Sequence, residues 1–149
     1  MATKTTIPIG SDHAGFELKT KIVQLLERLG YEVKDFGAHS LESVDYPDFA
    51  HPVASSINDN AYTTGIVVCG SGQGVCMTVN KYQNVRGALS WNVEHTKMAR
   101  LHNNANILCL PARFIDENTA FEMVEAFLTT DYEAGRHQRR LDKMPLQSN

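Results

Sequence analysis

Apolar residues recur at helical spacing in two long stretches of the chain. From about residue 16, an i, i+4, i+7, i+8, i+11 stripe predicts one buried helix face made of Leu18, Ile22, Leu25, Leu26 and Leu29. Gly30 stands just beyond this stripe, where helices often end. A second helix is predicted by the stripe of Ala120, Met123, Val124, Phe127 and Leu128. Each of these helices therefore has an apolar face to bury against another element.

Five short runs have the pattern of β-strands, namely TTIPIG, YEVKDFG, TTGIVVCG, VRGALSW and NILCLP. The first is expected to end at Gly10. The third is apolar throughout its middle, as strands buried on both faces are. Further helices are predicted over residues 49–57, in NVEHTKMARLHN and, as a short buried helix, in GVCMTVNKY. The basic tail AGRHQRRLDKM also has a helical pattern.

Strand and helix alternate along the chain with connections of a few residues. This order predicts an α/β fold, a three-layer sandwich in which helices cover both faces of a five-stranded parallel sheet, with a C-terminal helical tail. The 149 residues contain no internal repeat or linker, so a single domain over 1–149 is expected. Ligands of such sheets bind beyond the carboxyl ends of the strands. The candidate site therefore lies in the loops GSDHAG, GAHS, CGSGQG, SWN and LPAR.

Composition narrows the classes of partner. The net charge is −3, so no overall basic field would attract nucleic acid or an acidic membrane surface. No apolar run approaches 18 residues, and the N-terminus has no apolar signal segment, which together predict a cytoplasmic protein. Three cysteines are an odd number, and a disulfide framework is not expected. They form no CxxC pair and no second ligand cluster accompanies them, so no zinc site is predicted.

The glycines of CGSGQG let the backbone turn sharply and bring N–H groups close to an anion, but three known motifs do not fit. A dinucleotide fingerprint would need a third glycine where Val75 stands. A P-loop would need a lysine after Gly74. A nucleophile elbow G-x-S-x-G centred on Ser71 would need glycine two positions away on each side, where Cys69 and Gln73 stand. An anion-binding loop of another kind remains.

Cys69 stands at the junction between the third strand and this loop. A helix N-terminus lowers the pKa of a neighbouring cysteine from about 8.5 toward neutrality, and the thiolate is then a nucleophile or a general base. The alternative is a small buried hydrophobe, the commonest role of a free cysteine, and the loop alone slightly favours it. Cys76 and Cys109 are assigned to that second role.

Two other segments carry polar side chains suited to chemistry. Asp12 and His13 follow the first strand and suit proton handling or hydroxyl recognition, although Asp12 is also a candidate helix N-cap. His102 and Asn103 end a predicted helix, where a cap with Asn in the left-handed conformation is as good an interpretation as function. His95 shares a helix face with His102, but no HExxH motif supports a zinc hydrolase.

The basic tail has three interpretations. Arg136 and Arg140 are spaced i, i+4 and, with His137, suit a phosphate, which arginine binds with two parallel hydrogen bonds. A solvated basic helix is the ordinary alternative. Nucleic-acid binding is the weakest, because one short basic segment in an acidic chain lacks interleaved aromatic residues.

Taken in order, these segments resemble the type B ribose-5-phosphate isomerase family, which includes the galactose-6-phosphate isomerase subunits. The matching segments are GSDHAGFELK, ESVDYPDFA, VVCGSGQG, NKYQNVRGAL, LHNNANILCL and YEAGRHQRRLDK, which span nearly the whole chain. The resemblance implies a parallel α/β sandwich and interconversion of aldose and ketose phosphates without metal or organic cofactor. It also implies a homodimer or homotetramer whose active sites lie at a subunit interface.

The resemblance also assigns roles by position. Cys69 would be the base that moves a proton between C1 and C2, and the glycine loop with Ser71 would stabilise the enediolate. His102 would open the sugar ring, supported by Asp12. The loop residues of the implied binding set are Gly70, Ser71, Gly72, Gln73 and Gly74. The phosphate set is His13, Arg136, His137 and Arg140, and further substrate contacts are Asp12, Tyr46, Asn103 and Arg113.

One branch of the family replaces the cysteine by a glutamate deeper in the loop. Val75 occupies that position here, which places the chain in the cysteine branch. The segment VCMTVNKY is bulkier than in relatives, and a packing change is expected there. Ribose 5-phosphate is the expected substrate. A six-carbon phosphate such as allose or galactose 6-phosphate and, less favoured, a non-catalytic sugar-phosphate-binding module are the alternatives.

Overall fold

The computed structural model describes residues 4–147, so the ends of the predicted domain range lie outside it. Five strands form one sheet: β1 (Thr6–Ser11), β2 (Glu32–Asp35), β3 (Gly65–Cys69), β4 (Gly87–Leu89) and β5 (Ile107–Pro111). Their order across the sheet is β2-β1-β3-β5-β4, and every neighbouring pair is parallel. Because β1 and β3 pair in the middle, the loops that follow them adjoin.

Six helices surround the sheet: α1 (Phe16–Arg28), α2 (Tyr46–Asn58), α3 (Gln73–Val79), α4 (Val93–Asn103), α5 (Glu117–Thr129) and α6 (Gln138–Leu141), the last preceded by a 3-10 turn (Gly135–His137). Within the described residues, no helix is long and apolar enough to cross a membrane. The predicted three-layer α/β fold with a five-stranded parallel sheet is confirmed.

The two faces of the sheet bury separate cores, because alternate strand residues point to opposite sides. One core joins Ile66 and Val68 of β3 to the apolar faces of α1 and α5. The other joins Val67 and Cys69 of the same strand to α2 and α3. The alternation therefore places the Cys69 side chain on the α2–α3 side, beneath the helix that follows the glycine loop.

The end of β1 and the start of α2 differ from the predicted boundaries. β1 continues through Ser11, one residue beyond the predicted end at Gly10. α2 begins at Tyr46 and not at residue 49, because Asp45 stands before it in extended conformation and Pro47 occupies its first turn. Proline is accepted there since the first N–H groups of a helix have no intrahelical partner.

The C-terminal tail is less regular than its pattern predicted. Ala134 and Gly135 both have positive φ, 58° and 60°, so no regular helix continues through them into the 3-10 turn. The α-helix that follows is only four residues long. Arg136 and Arg140 therefore lie on two different short elements and not on one continuous helix face.

Candidate active site

The glycine loop is a tight connection between β3 and α3. Gly72 has a φ of +74°, and a Cβ there would come within 2.6 Å of a Leu89 methyl group, so both backbone and space require glycine. Ser71 Oγ accepts a hydrogen bond from the Gln73 N–H at 3.3 Å. Since the first N–H groups of α3 lack intrahelical partners, the loop offers donors to an anion.

Cys69 is the last residue of β3 and is only 4% exposed. Its carbonyl oxygen accepts a hydrogen bond from the Ala112 N–H at 2.9 Å, and the Gly70 carbonyl accepts one from the Arg113 N–H at 2.9 Å. The loops after β3 and β5 are thus joined. A Cβ at Gly70 would lie 3.2 Å from Arg113 Nη1, which places that guanidinium against the loop.

Asp12 and His13 follow β1 at the same edge of the sheet. Asp12 is 7% exposed, its N–H donates to the Val68 carbonyl at 3.3 Å, and its Oδ1 accepts from the Gly15 N–H at 3.0 Å. It closes the turn before α1 without being the N-cap residue, which is Gly15. His13 Nδ1 accepts a hydrogen bond from the Val44 N–H at 3.1 Å, so the neutral ring carries its proton on Nε2.

Tyr46 completes this group of residues at the carboxyl edge. It begins α2, is 39% exposed, and places its ring directly against Gly74. A neighbouring hollow of about 280 Å³ is lined by Ser71, Gln73, Leu89, Trp91, Pro111 and Phe114. Trp91 and Phe114 are 53% and 74% exposed, so the rim of the site is apolar and open.

The remaining predicted residues gather at the C-terminus of α4. The rings of His102 and His137 stack with centroids 4.5 Å apart. The Glu133 carboxylate lies beside both rings, 3.8 Å from the Nε2 atom of each, and the Glu133 N–H donates to the Leu101 carbonyl at 3.0 Å. His137 is 6% exposed, and its Nε2 has no hydrogen-bond partner among residues 4–147.

The other residues of the predicted phosphate and substrate set at this end of α4 are more exposed to solvent than His137. Arg136 and Arg140 are exposed. Asn103 is the last residue of α4 and lines a cavity of about 630 Å³ shared with His95 and Leu141. The left-handed cap of α4 is Asn104, with a φ of 45°, and the capping alternative for Asn103 is therefore wrong.

The structure does not bring these two groups of residues together within one chain. α4 begins just after the carboxyl end of β4 and ends just before the amino end of β5. Its 11 residues span about 16 Å, so His102 and His137 lie toward the opposite edge of the sheet from Cys69. One chain therefore holds the loop group and the histidine group as two separate surfaces.

Cys76 behaves differently from its predicted role as an inert buried residue. A hydrogen bond from the Cys109 thiol lowers the pKa of Cys76 to about 7, with smaller help from the Leu89 backbone and the Asn80 side chain, although burial acts in the opposite direction. Burial raises the pKa of Cys109, which lies in the core as predicted. No spacing rule predicted this pair, because α3 and β5 meet only in the folded sheet.

Glu133 was also missed by sequence reasoning. Glu133 and His137 are only four residues apart in YEAGRH, but the chain between them is not α-helical, so helical spacing does not account for their approach. The contact between Glu133 and His102 could not be predicted either, because the two residues are far apart in the sequence.

The fold and these loops define the class of parallel α/β enzymes that bind a ligand at the carboxyl edge of the sheet. A family model described as Ribose/Galactose Isomerase matches residues 7–144, and the chain belongs to this family. It is 43% identical over 136 residues to a ribose-5-phosphate isomerase B of Mycolicibacterium paratuberculosis, covering 90% of this chain and 86% of the relative.

Solved structures similar to this chain belong to the same family. A ribose 5-phosphate isomerase from Thermotoga maritima is 46% identical with a TM-score of 0.93, covering 96% of this chain and 99% of that one. A ribose-5-phosphate isomerase B from Mycoplasma genitalium with bound ribulose-5-phosphate is 41% identical with a TM-score of 0.91, covering 96% and 95%. The predicted family, the fold class and the prediction of an isomerase are confirmed.

Proposed function

We propose that this protein interconverts ribose 5-phosphate and ribulose 5-phosphate through an enediolate, with the Cys69 thiolate as the base. The observation that carries this proposal is the position of Cys69, buried at the last residue of β3 and directly beneath a loop of backbone donors. The relative from Mycoplasma genitalium, whose structure contains ribulose-5-phosphate, supports the choice of substrate.

The proton transfer balances without another reactant. Cys69 takes the proton from C2 of the open-chain aldose, the electron pair forms the C1–C2 double bond, and O1 takes the negative charge. The thiol then returns the proton to C1 while the O2 hydroxyl proton moves to O1, leaving the C2 carbonyl of the ketose. N–H groups at residues 70–74 and the Ser71 hydroxyl stabilise the oxyanion, which forms only during the reaction.

Ring opening needs an acid and a base placed on the furanose. His102 is proposed for this step with Asp12 supporting it, because an imidazole exchanges protons near neutral pH. Asp12 is held rigidly by its bonds to the β3 and α1 backbone, which suits a carboxylate that must orient a hydroxyl group.

Phosphate binding is assigned to His13, Arg136, His137 and Arg140. Two exposed guanidiniums recognise the dianion, and the buried His137 offers an unpartnered ring nitrogen. Tyr46, Asn103 and Arg113 are proposed as further substrate contacts. Binding energy at the phosphate then orients the distant reacting carbons.

The separation of the two groups in one chain supports a homo-oligomer with the active site between subunits. α4 is about 16 Å long and runs from the carboxyl edge of the sheet to its amino edge, so Cys69 and His102 of one chain stand toward opposite edges of the sheet. A symmetric partner would bring its own His102 and tail to the loop, and the open apolar rim at Trp91 and Phe114 is the surface suited to receive it. A cytoplasmic location and a reaction without cofactor, nucleic acid or membrane remain predictions.

A six-carbon sugar phosphate is the second candidate substrate. The family model names both ribose and galactose, and the hollow beside Ser71, about 280 Å³, adjoins the reacting end of the site. A comparison of kcat/KM for ribose, allose and galactose phosphates decides between them.

The test of the proposed base is turnover of ribose 5-phosphate with a chelator present. Cys69→Ala should lower kcat by about 10²- to 10⁴-fold, the usual contribution of a general base, while sugar-phosphate binding persists. Cys76→Ala is the matched control, because it removes a nearby thiol outside the proposed machinery. Full activity of Cys69→Ala would reject the cysteine base, and binding without turnover by wild type would favour the non-catalytic module.

A further inference from the structure

Three side chains with metal-ligating atoms meet at the C-terminal end of α4. They are His102 of α4, Glu133 of the connection after α5, and His137 of the 3-10 turn, and their ligand-type atoms all lie within 4.8 Å of one another. Two imidazoles and a carboxylate form a donor set that suits zinc and similar divalent transition metals. With neutral imidazoles the set carries one negative charge, which favours a dication.

An independent observation points to a ligand at this place. The His137 ring is 6% exposed, and its Nε2 has no hydrogen-bond partner among residues 4–147. A buried polar atom without a partner costs free energy, and such atoms in native proteins usually have a functional cause. This Nε2 lies 3.8 Å from Glu133 Oε1, so it faces into the cluster.

The cluster can contract into a coordination sphere. Zinc bonds to nitrogen and oxygen are about 2.0–2.2 Å long, and tetrahedral ligand atoms are then about 3.4 Å apart. His137 is fixed by burial, but the side chains of His102 and Glu133 are 37% and 53% exposed. The two rings are stacked with an interplanar angle of 20°, so the His102 ring has to turn out of this stack to direct its Nε2 at an ion shared with His137. The exposure of His102 and Glu133 leaves both side chains room to turn.

We propose that His102, Glu133 and His137 form a binding site for a divalent transition metal, with Zn²⁺ as the best-matched ion, and that the bound metal inhibits the enzyme. Three protein ligands leave a fourth position for water. The inhibition rests on the proposed function, which places His102 and His137 on the substrate, whereas metal binding does not. Because both imidazoles must be neutral to bind the ion, affinity falls as the pH is lowered.

The binding test uses Co²⁺ as a spectroscopic probe and Zn²⁺ by calorimetry, with the full chain in phosphate-free buffer. One ion per chain is expected, with the visible absorption of nitrogen- and oxygen-ligated Co²⁺. Glu133→Gln should weaken binding by at least about tenfold. Glu122→Gln is the matched control, since Glu122 is an exposed glutamate of α5 outside the cluster. His102→Gln is a second variant at a half-exposed position, and it should also lose the absorption.

The results separate the parts of the proposal. Absence of binding, or binding that both Glu133→Gln and His102→Gln leave unchanged, overturns the metal site. Inhibition of turnover by Zn²⁺ that a chelator reverses, with a higher Zn²⁺ requirement in Glu133→Gln, supports the inhibitory role. Binding without inhibition of an active enzyme overturns that role. Binding by a protein that turns over neither pentose nor hexose phosphate supports the metal site and contradicts the proposed function.

Discussion

The ring of Tyr46 lies against Gly74 so closely that a Cβ on residue 74 would come within 2.5 Å of the phenol Cζ. The start of α2 and the glycine loop are therefore in direct contact, and the absence of a side chain at position 74 permits it. The contact connects the geometry of the loop to that of a helix distant in sequence.

Gly74→Ala should lower kcat/KM by about 10²-fold, because the added methyl group displaces either Tyr46 or the loop donors by roughly 1 Å. The measurement is steady-state turnover together with a thermal melt. Gly30→Ala is the control: a Cβ there meets no atom within 4 Å, but its φ of +92° makes alanine strained. That variant should lose stability and keep its activity. Normal kcat/KM in Gly74→Ala would show that the contact does not set the loop geometry.

The Lys19–Asp35 pair is a buried support for the loops beside the site. Lys19 is 1% exposed, and its Nζ donates to both carboxylate oxygens of Asp35 at 2.6 and 2.8 Å. Asp35 also accepts the Gly37 N–H at 2.8 Å, and the Gly37 carbonyl accepts the Ser11 N–H at 2.7 Å, directly before Asp12.

Lys19→Ala should therefore reduce the free energy of unfolding by about 3 kcal/mol, because it leaves a carboxylate of limited exposure without its partner. Urea denaturation measures the change. Lys21→Ala removes a lysine that pairs with Glu117 on the surface and should leave the unfolding midpoint unchanged. An equal change in the free energy of unfolding for the two substitutions would mean that the Lys19–Asp35 pair stabilises the fold no more than the surface pair does.

The Cys76 thiol should react with iodoacetamide with a midpoint near pH 7 in a Cys69→Ala background. Its hydrogen bond from Cys109 is the largest cause of its lowered pKa of about 7. Labelling should be slow below that pH, where the thiol is protonated, and reach a plateau above it. Cys109→Ala should move the midpoint upward. A midpoint near 8.5 before Cys109 is replaced would contradict the lowered pKa of Cys76.

Arg140→Gln should raise KM for ribose 5-phosphate by at least about tenfold while stability is retained, because an exposed guanidinium is lost from the proposed phosphate site. Arg139→Gln is the matched control, since Arg139 is an equally exposed neighbour with no assigned role. Steady-state kinetics of both variants give the answer. A similar rise in KM for both would indicate a general effect of net charge and not a specific phosphate contact.

Much of the fold could be predicted because the apolar pattern is strong. The stripe from Leu18 to Leu26 predicted α1, and the left-handed Gly30, with a φ of +92°, follows the helix as expected. Leu29 was wrongly included in the buried face, because it is the C-cap residue and is 42% exposed. The all-apolar run before the glycine loop predicted β3, the strand at the centre of the sheet. In these elements local pattern and tertiary burial agree.

The errors arose where a local signal was ambiguous or a contact was long-range. The helix predicted over residues 49–57 begins three residues earlier, at Tyr46, because proline is accepted in the first turn of a helix. The left-handed residue is Asn104 and not Asn103, a difference of one position within a run of polar residues. The effect of Cys109 on the pKa of Cys76 and the approach of Glu133 to two histidines depend on packing between elements, which no short sequence window contains.

The most direct test of the shared active site is the activity of a mixed oligomer. Cys69→Ala and His102→Asn chains carrying different tags are co-expressed, and the mixed dimer is isolated through both tags. If each site combines Cys69 of one subunit with His102 of the other, one of the two sites in the mixed dimer is intact, and about half of wild-type activity is expected although each parent is inactive. If each chain holds a complete site, both sites of the mixed dimer carry a substitution. A mixed dimer as inactive as its parents would contradict the account.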